Sequence, residues 1–174
     1  MGTTRIETAD VAALEHRIRE IRHGLITFDG CMLAGKTELM HELERRLGVH
    51  GLDLDDFVER QQGMFVEAVR LQELAAAIEQ ARAMSEVVLL SGICMLEVLE
   101  RIGRESHLTV YVQANNQDGT PDDIDLIGAE SGRRPDLIEF FGELEDECFS
   151  YHARYRPCNG ADVLFIRPLE QRKP

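Results

Sequence analysis

The stretch Phe28-Asp29-Gly30-Cys31-Met32-Leu33-Ala34-Gly35-Lys36-Thr37 fits the spacing G-x-x-x-x-G-K-[ST]. Glycines at these positions let successive backbone N–H groups turn inward around a polyphosphate, a lysine reaches its outer phosphates, and a threonine hydroxyl ligates magnesium. The flanks agree. Leu25-Ile26-Thr27-Phe28 is a short β-type run before the loop, and Leu39, Met40, Leu43 and Leu47 recur on one helical face after it. Strand, glycine loop and helix follow in the order a nucleotide phosphate site requires, which makes Gly30, Cys31, Met32, Leu33, Ala34, Gly35, Lys36 and Thr37 the nucleotide-binding residues.

The rest of the chain is built outward from that loop. Its 174 residues, 44% hydrophobic and 29% charged, are expected to form a single domain over 1–174. A net charge of −13 argues against a nucleic-acid surface, because polyanion binding needs clustered Lys and Arg. No apolar run approaches the roughly 18 residues that span a bilayer, and Glu7 and Asp10 near the N-terminus do not fit a signal peptide. The expectation is a cytoplasmic protein with no nucleic-acid or membrane partner. Cys31, Cys94, Cys148 and Cys158 are too scattered for a zinc site or a disulfide framework. Cys31, inside a loop of inward-facing amides, is a candidate for an acidified, oxidisable thiol, with simple packing as the plainer reading.

In chain order, Val11, Leu14, Ile18 and Ile21 mark an N-terminal helix at about 10–23, able to cover a sheet edge or to make dimer contacts, so monomer and homodimer both stay open. After the loop helix, Leu52-Asp53-Leu54-Asp55-Asp56-Phe57-Val58-Glu59 alternates apolar and acidic residues, as a strand running into a loop does. Its carboxylates would stand at the sheet's carboxyl edge, where ligands of open α/β sheets bind: one to orient magnesium, another to accept a proton from an attacking hydroxyl. A helix is expected from about Gly63 to Met84, then a buried strand at Val87-Val88-Leu89-Leu90 ending at Ser91-Gly92, where an acidic, metal-orienting residue would be usual. Met95 to Ile102 is a short helix and His107 to Val112 a strand.

A polar, acidic connection follows and forms a lid-like region at about 114–136. It leads to Gly132-Arg133-Arg134-Pro135 and a helix with Leu137, Phe141, Leu144 and Cys148 on its apolar face. Arg133 and Arg134 can close over a triphosphate, Arg133 as a catalytic charge and Arg134 as a nucleotide contact, or be ordinary surface arginines. Arg154 and Arg156 are further candidates for the nucleotide edge, and Ala161 to Ile166 reads as the last strand. Strands and helices alternating through short connections give a three-layer α/β/α domain with a five-stranded parallel sheet.

Over most of 25–167 these residues resemble the small-molecule kinases of the phosphate-loop superfamily, especially the shikimate-kinase-like and nucleoside-kinase-like groups. Asp53 to Gly63 looks like the D-x-D stretch, acidic helix and glycine of shikimate kinases. Arg133, Arg134 and Pro135 are similar to their lid segment, and Tyr155-Arg156-Pro157 with Ala161-Asp162 to their final nucleotide-side segment. The resemblance implies a strand order 2-3-1-4-5, ATP and Mg²⁺ as ligands, Asp53 with Thr37 serving the metal, and Asp55 on the acceptor hydroxyl with Asp56 beside it. Two departures stand out: Ser91-Gly92-Ile93 replaces the shikimate-kinase glycine triplet, and the substrate-anchoring arginine has no clear counterpart. The resulting expectation is an ATP-dependent kinase acting on a hydroxyl of a small polar metabolite, with Lys36 stabilising the transferred phosphate. A nucleotide-binding regulatory module without kinase activity is the alternative, favoured by Ser91 and the added N-terminal helix.

Overall fold

The computed structural model describes residues 5–59, 64–136 and 138–167. Six parallel strands form one sheet: β1 (Ile6–Thr8), β2 (Gly24–Asp29), β3 (His50–Asp53), β4 (Val87–Ser91), β5 (Leu108–Ala114) and β6 (Val163–Arg167), in the spatial order β1-β6-β5-β2-β4-β3. The expected five-stranded sheet is therefore corrected to six. The five strands foreseen keep their expected mutual order, and β1 is added outside β6, pairing Ile6 with Val163 and Thr8 with Phe165. Three residues with a single large apolar side chain carry no strand signal of their own; β1 exists because β6 offers it an open edge.

Among the described residues six α-helices accompany the strands: α1 (Val11–Arg19), α2 (Lys36–Leu47), α3 (Leu71–Met84), α4 (Met95–Arg101), α5 (Ile124–Ala129) and α6 (Glu143–Tyr155). The sheet is covered on both sides, and side-chain alternation along β4 shows how. Val87 and Leu89 join Leu14 and Ile18 of α1 and Leu39, Met40 and Leu43 of α2, whereas Val88 and Leu90 join Leu74 and Ile78 of α3, Val98 of α4 and Tyr151 of α6. With both faces packed, every residue of β2 and of β4 is buried, as continuous apolar strands in a parallel sheet must be.

Local chemistry sets the helix ends. The Asp10 carboxylate accepts the Ala12 amide at 2.9 Å and starts α1. Gly48, at φ +66°, closes α2 in the left-handed conformation. Two helices begin later than the hydrophobic spacing predicts. The amides of Phe65 and Val66 donate to the Glu147 carboxylate at 2.5 and 2.9 Å, so these residues cannot continue a helix, and α3 starts at Leu71. The final helix starts at Glu143, after a short 3₁₀ turn over Ile138–Phe140. Gly63, the expected helix start, Leu137 of the expected stripe and Arg60 to Gly63 of the D-x-D resemblance lie outside the described residues.

Candidate functional site

The loop between β2 and α2 lies at the carboxyl edge of the sheet, with β4 and β5 flanking β2. Its shape depends on two glycines. Gly30 has φ +139°, and a Cβ there would sit 2.4 Å from the Val112 carbonyl oxygen; Gly35 has φ +81°, and a Cβ there would meet the Arg167 guanidinium at 2.0 Å. Inside the loop the Lys36 ammonium donates to the Cys31 carbonyl at 2.5 Å. Lys36 is buried, and that burial lowers its pKa, while Asp29, Cys31, Asp55 and Asp53 oppose the shift. A cation held partly desolvated beneath a ring of amides is prepared for an anionic ligand.

Asp53 ends β3 and is in register with Ser91, which is itself in register with Phe28 of β2. This brings two strand ends up to the first turn of α2. The Thr37 hydroxyl donates to Asp53 Oδ2 at 2.8 Å, with Ser91 Oγ 3.4 Å away. Asp53 Oδ1 accepts the Asp55 amide at 3.0 Å, which fixes the turn that follows. Hard oxygen donors in this arrangement suit magnesium, which needs few protein ligands when phosphates and water supply the others. Among the described residues no group of three or more His, Cys, Asp or Glu forms a metal centre by itself.

A cleft of about 630 Å³ opens beside the loop, lined by Lys36, Thr37, Asp53 and Asp55 and by Phe65, Ile93, Leu144 and Arg167. Asp55 is exposed at the edge of this space, and its carboxyl is raised above the ordinary carboxylate range, first by partial desolvation and then by Asp53 and Asp56, with Lys36 opposing. Asp56 is exposed and is not among the residues lining the cleft.

The loop, Asp53 and Asp55 are thus brought together; the arginines are not. Arg133 and Arg134 are exposed and outside the cleft lining. Arg154 pairs with Glu100 at 3.7 Å and lies over the Tyr155 ring. The acidified thiol weighed against simple packing finds no support: burial, with the negative charges of Asp123 and Asp122, pushes Cys31 up to about 12. Two participants were missed in sequence. Arg167, at the end of β6, donates to the Gly35 carbonyl at 2.6 Å and lies 3.2 Å from the Glu38 carboxylate; a cation closing the last strand was the available signal. Tyr151, expected after a helix, lies within α6 and bonds to Asp29.

Compared with solved structures, the chain matches a possible uridine kinase from Bacillus stearothermophilus at a TM-score of 0.59 and 16% identity, covering 89% of this chain and 96% of that one. The two share a fold, an α/β domain with a parallel sheet. Shikimate kinases from Aquifex aeolicus and Bacteroides thetaiotaomicron match at TM-scores of 0.47 and 0.42 and identities of 18% and 20%, covering 85% and 82% of this chain and 90% and 86% of theirs. No protein-family model matches the chain, and no curated protein sequence matches it. Among the described residues no helix is long and apolar enough to cross a membrane.

Proposed function

We propose that the protein transfers the γ-phosphoryl group of ATP to a hydroxyl of a small-molecule acceptor. The observation that carries this reading is that Asp55 and Lys36 line one cleft with the Thr37–Asp53 pair. A phosphate loop alone accounts for nucleotide binding. A carboxylate lining the same space adds a proton acceptor, which transfer to a hydroxyl uses.

In this reading the loop amides and Lys36 bind the β- and γ-phosphates, and Lys36 balances charge as it builds on the transferred group. Thr37 and Asp53 are the residues that would hold magnesium, which when bound neutralises phosphate charge. The acceptor oxygen bonds to the γ-phosphorus as the bond to the β,γ-bridging oxygen breaks. Asp55 takes the hydroxyl proton, and ADP leaves. Most of the rate enhancement in such a site is positioning and electrostatics, so the rigid loop matters as much as the base.

The test is transfer of label from γ-labelled ATP across a panel of sugars, nucleosides, hydroxy acids and ring-bearing alcohols, with Asp55→Asn alongside. Full activity of Asp55→Asn on the best acceptor overturns the base assignment. Ser91 at the end of β4 favours a second reading, a nucleotide-binding module, because it supplies a hydroxyl where a carboxylate would orient the metal. Nucleotide binding with neither transfer nor hydrolysis is the outcome that supports it.

A further inference from the structure

The cleft lining joins two chemistries: the loop with the carboxylates of Asp53 and Asp55, and the apolar side chains of half-buried Phe65 and Leu144 and buried Ile93. Met32 and Leu33 extend the apolar side from the tip of the loop, where Leu33 is 93% exposed. Apolar surface kept open to solvent at the mouth of a site is the usual mark of a ligand's apolar part.

This apolar side is built, and α6 builds it. Buried Glu147 takes the amides of Phe65 and Val66 at 2.5 and 2.9 Å, which holds the turn before α3 against the cleft. Leu144 lies one helical turn before Glu147 and therefore on the same side of α6. One helix supplies both the anchor for Phe65 and a second apolar residue of the cleft lining.

The charges point the same way. Among the described residues, the cations lining the cleft are Lys36, which is bonded to the Cys31 carbonyl, and Arg167, which is bonded to the Gly35 carbonyl and near Glu38. Both face the phosphate side. An anionic acceptor would approach the carboxylates of Asp53 and Asp55 and the nucleotide phosphates, like charges at short range. Resting on the phosphotransferase reading, we infer that the acceptor is an uncharged alcohol with a ring-sized apolar body, seated on Phe65, Ile93 and Leu144 with its hydroxyl toward Asp55. The apolar lining thus departs from the polar metabolite expected from sequence.

Three probes separate the contributions: phenylethanediol, which is neutral and carries a ring; mandelate, which has the same ring and a carboxylate; and glycerol, which is neutral and has none. Calorimetric titration of the full chain, with a non-hydrolysable ATP analogue present, is expected to give phenylethanediol at least about tenfold tighter binding than either of the others. Phe65→Ala is expected to weaken the diol roughly tenfold, as loss of a buried aromatic contact does, and Phe65→Leu less, with the nucleotide affinity of both unchanged. Equal or tighter binding of mandelate or glycerol overturns the inference, as does absence of diol binding, or diol affinity unaltered in a folded Phe65→Ala chain. Label transfer from ATP is read separately: a diol that binds through Phe65 and is never phosphorylated removes the kinase reading and leaves the apolar subsite standing.

Discussion

Tyr151, on α6, donates its hydroxyl hydrogen to the carboxylate of Asp29, 122 residues earlier in the chain and immediately before the phosphate loop. The same carboxylate accepts the Gly30 amide at 2.8 Å, and the tyrosine oxygen accepts the Leu96 amide at 3.1 Å. One hydroxyl therefore ties the first residues of the loop to α6 and to the start of α4. The arrangement is fully enclosed, and burial raises the Asp29 carboxyl above its ordinary value of 3.8, against the opposing effects of Tyr151, Gly30, His152 and Lys36.

Tyr151→Phe removes one donor and leaves a buried carboxylate under-satisfied, a loss of about 1–3 kcal/mol. The sign of its pH dependence follows from the raised pKa. The folded chain binds the Asp29 proton more tightly than the unfolded chain does, so this group loses stability as pH rises from the unfolded value toward the folded one. The mutant raises that pKa further. Urea unfolding is expected to show a larger deficit relative to wild type at pH 7 than at pH 4, together with several-fold weaker ATP binding. A deficit that shrinks on raising the pH contradicts the assignment.

Asp55 sets the acidic limb of the rate profile. Its carboxyl lies above the ordinary range because of partial desolvation and Asp53, so the ionised, proton-accepting form appears only above that raised pKa. Transfer is expected to rise with pH through a midpoint above the ordinary aspartate value. Asp55→Asn should lower kcat by roughly 10²–10⁴ and abolish this limb with little change in ATP affinity. Initial rates from pH 4 to pH 9 check both.

Thr37 gives a test of the metal. Thr37→Val keeps the side-chain shape and removes the hydroxyl that now donates to Asp53 at 2.8 Å. Affinity for ATP with magnesium is expected to fall about tenfold, whereas affinity measured in EDTA should hardly change. Titration of both proteins under the two conditions separates metal ligation from general damage to the loop.

Gly30 and Gly48 separate two kinds of glycine. Both have positive φ, but a Cβ at Gly30 meets the Val112 carbonyl oxygen at 2.4 Å, whereas one at Gly48 meets nothing within 4 Å. Gly48→Ala should therefore cost only the backbone term of about 1–2 kcal/mol. Gly30→Ala must also displace β5 from the loop, and is expected to cost more and to lose ATP binding. Urea midpoints and nucleotide titration compare them.

What could be read in advance was what is local. The Gly30 to Thr37 spacing and the unbroken apolar runs of β2 and β4 carry their own signal. The turn at Phe65 and Val66 was hidden because its amides are satisfied by Glu147, more than 80 residues later, while its side chains keep a helical spacing. Arg167 was hidden because only the sheet brings β6 beside the loop and its guanidinium to the Gly35 carbonyl. Tyr151 lies past the apolar helical stripe read from the sequence, and only the packing of α6 shows that its hydroxyl ends on Asp29. Long-range hydrogen bonds leave no periodicity to detect.

Cys31 gives the last prediction, because its loop position and its environment point in opposite directions. The nearby Lys36 charge favours a thiolate, yet burial and the carboxylates of Asp123 and Asp122 outweigh it and push the thiol up to about 12 from 9.0. Three units correspond to a thiolate population roughly a thousandfold smaller at pH 8, and alkylation rate follows that population. Iodoacetamide labelling read by mass spectrometry should find Cys31 slower than a free cysteine by about that factor, despite its place in the ligand loop. Cys31→Ser is expected to leave stability within about 1 kcal/mol of wild type, since the thiol's contact within the loop is with the neighbouring Met32 carbonyl at 3.3 Å. Rapid labelling at neutral pH would show instead that the Lys36 charge dominates.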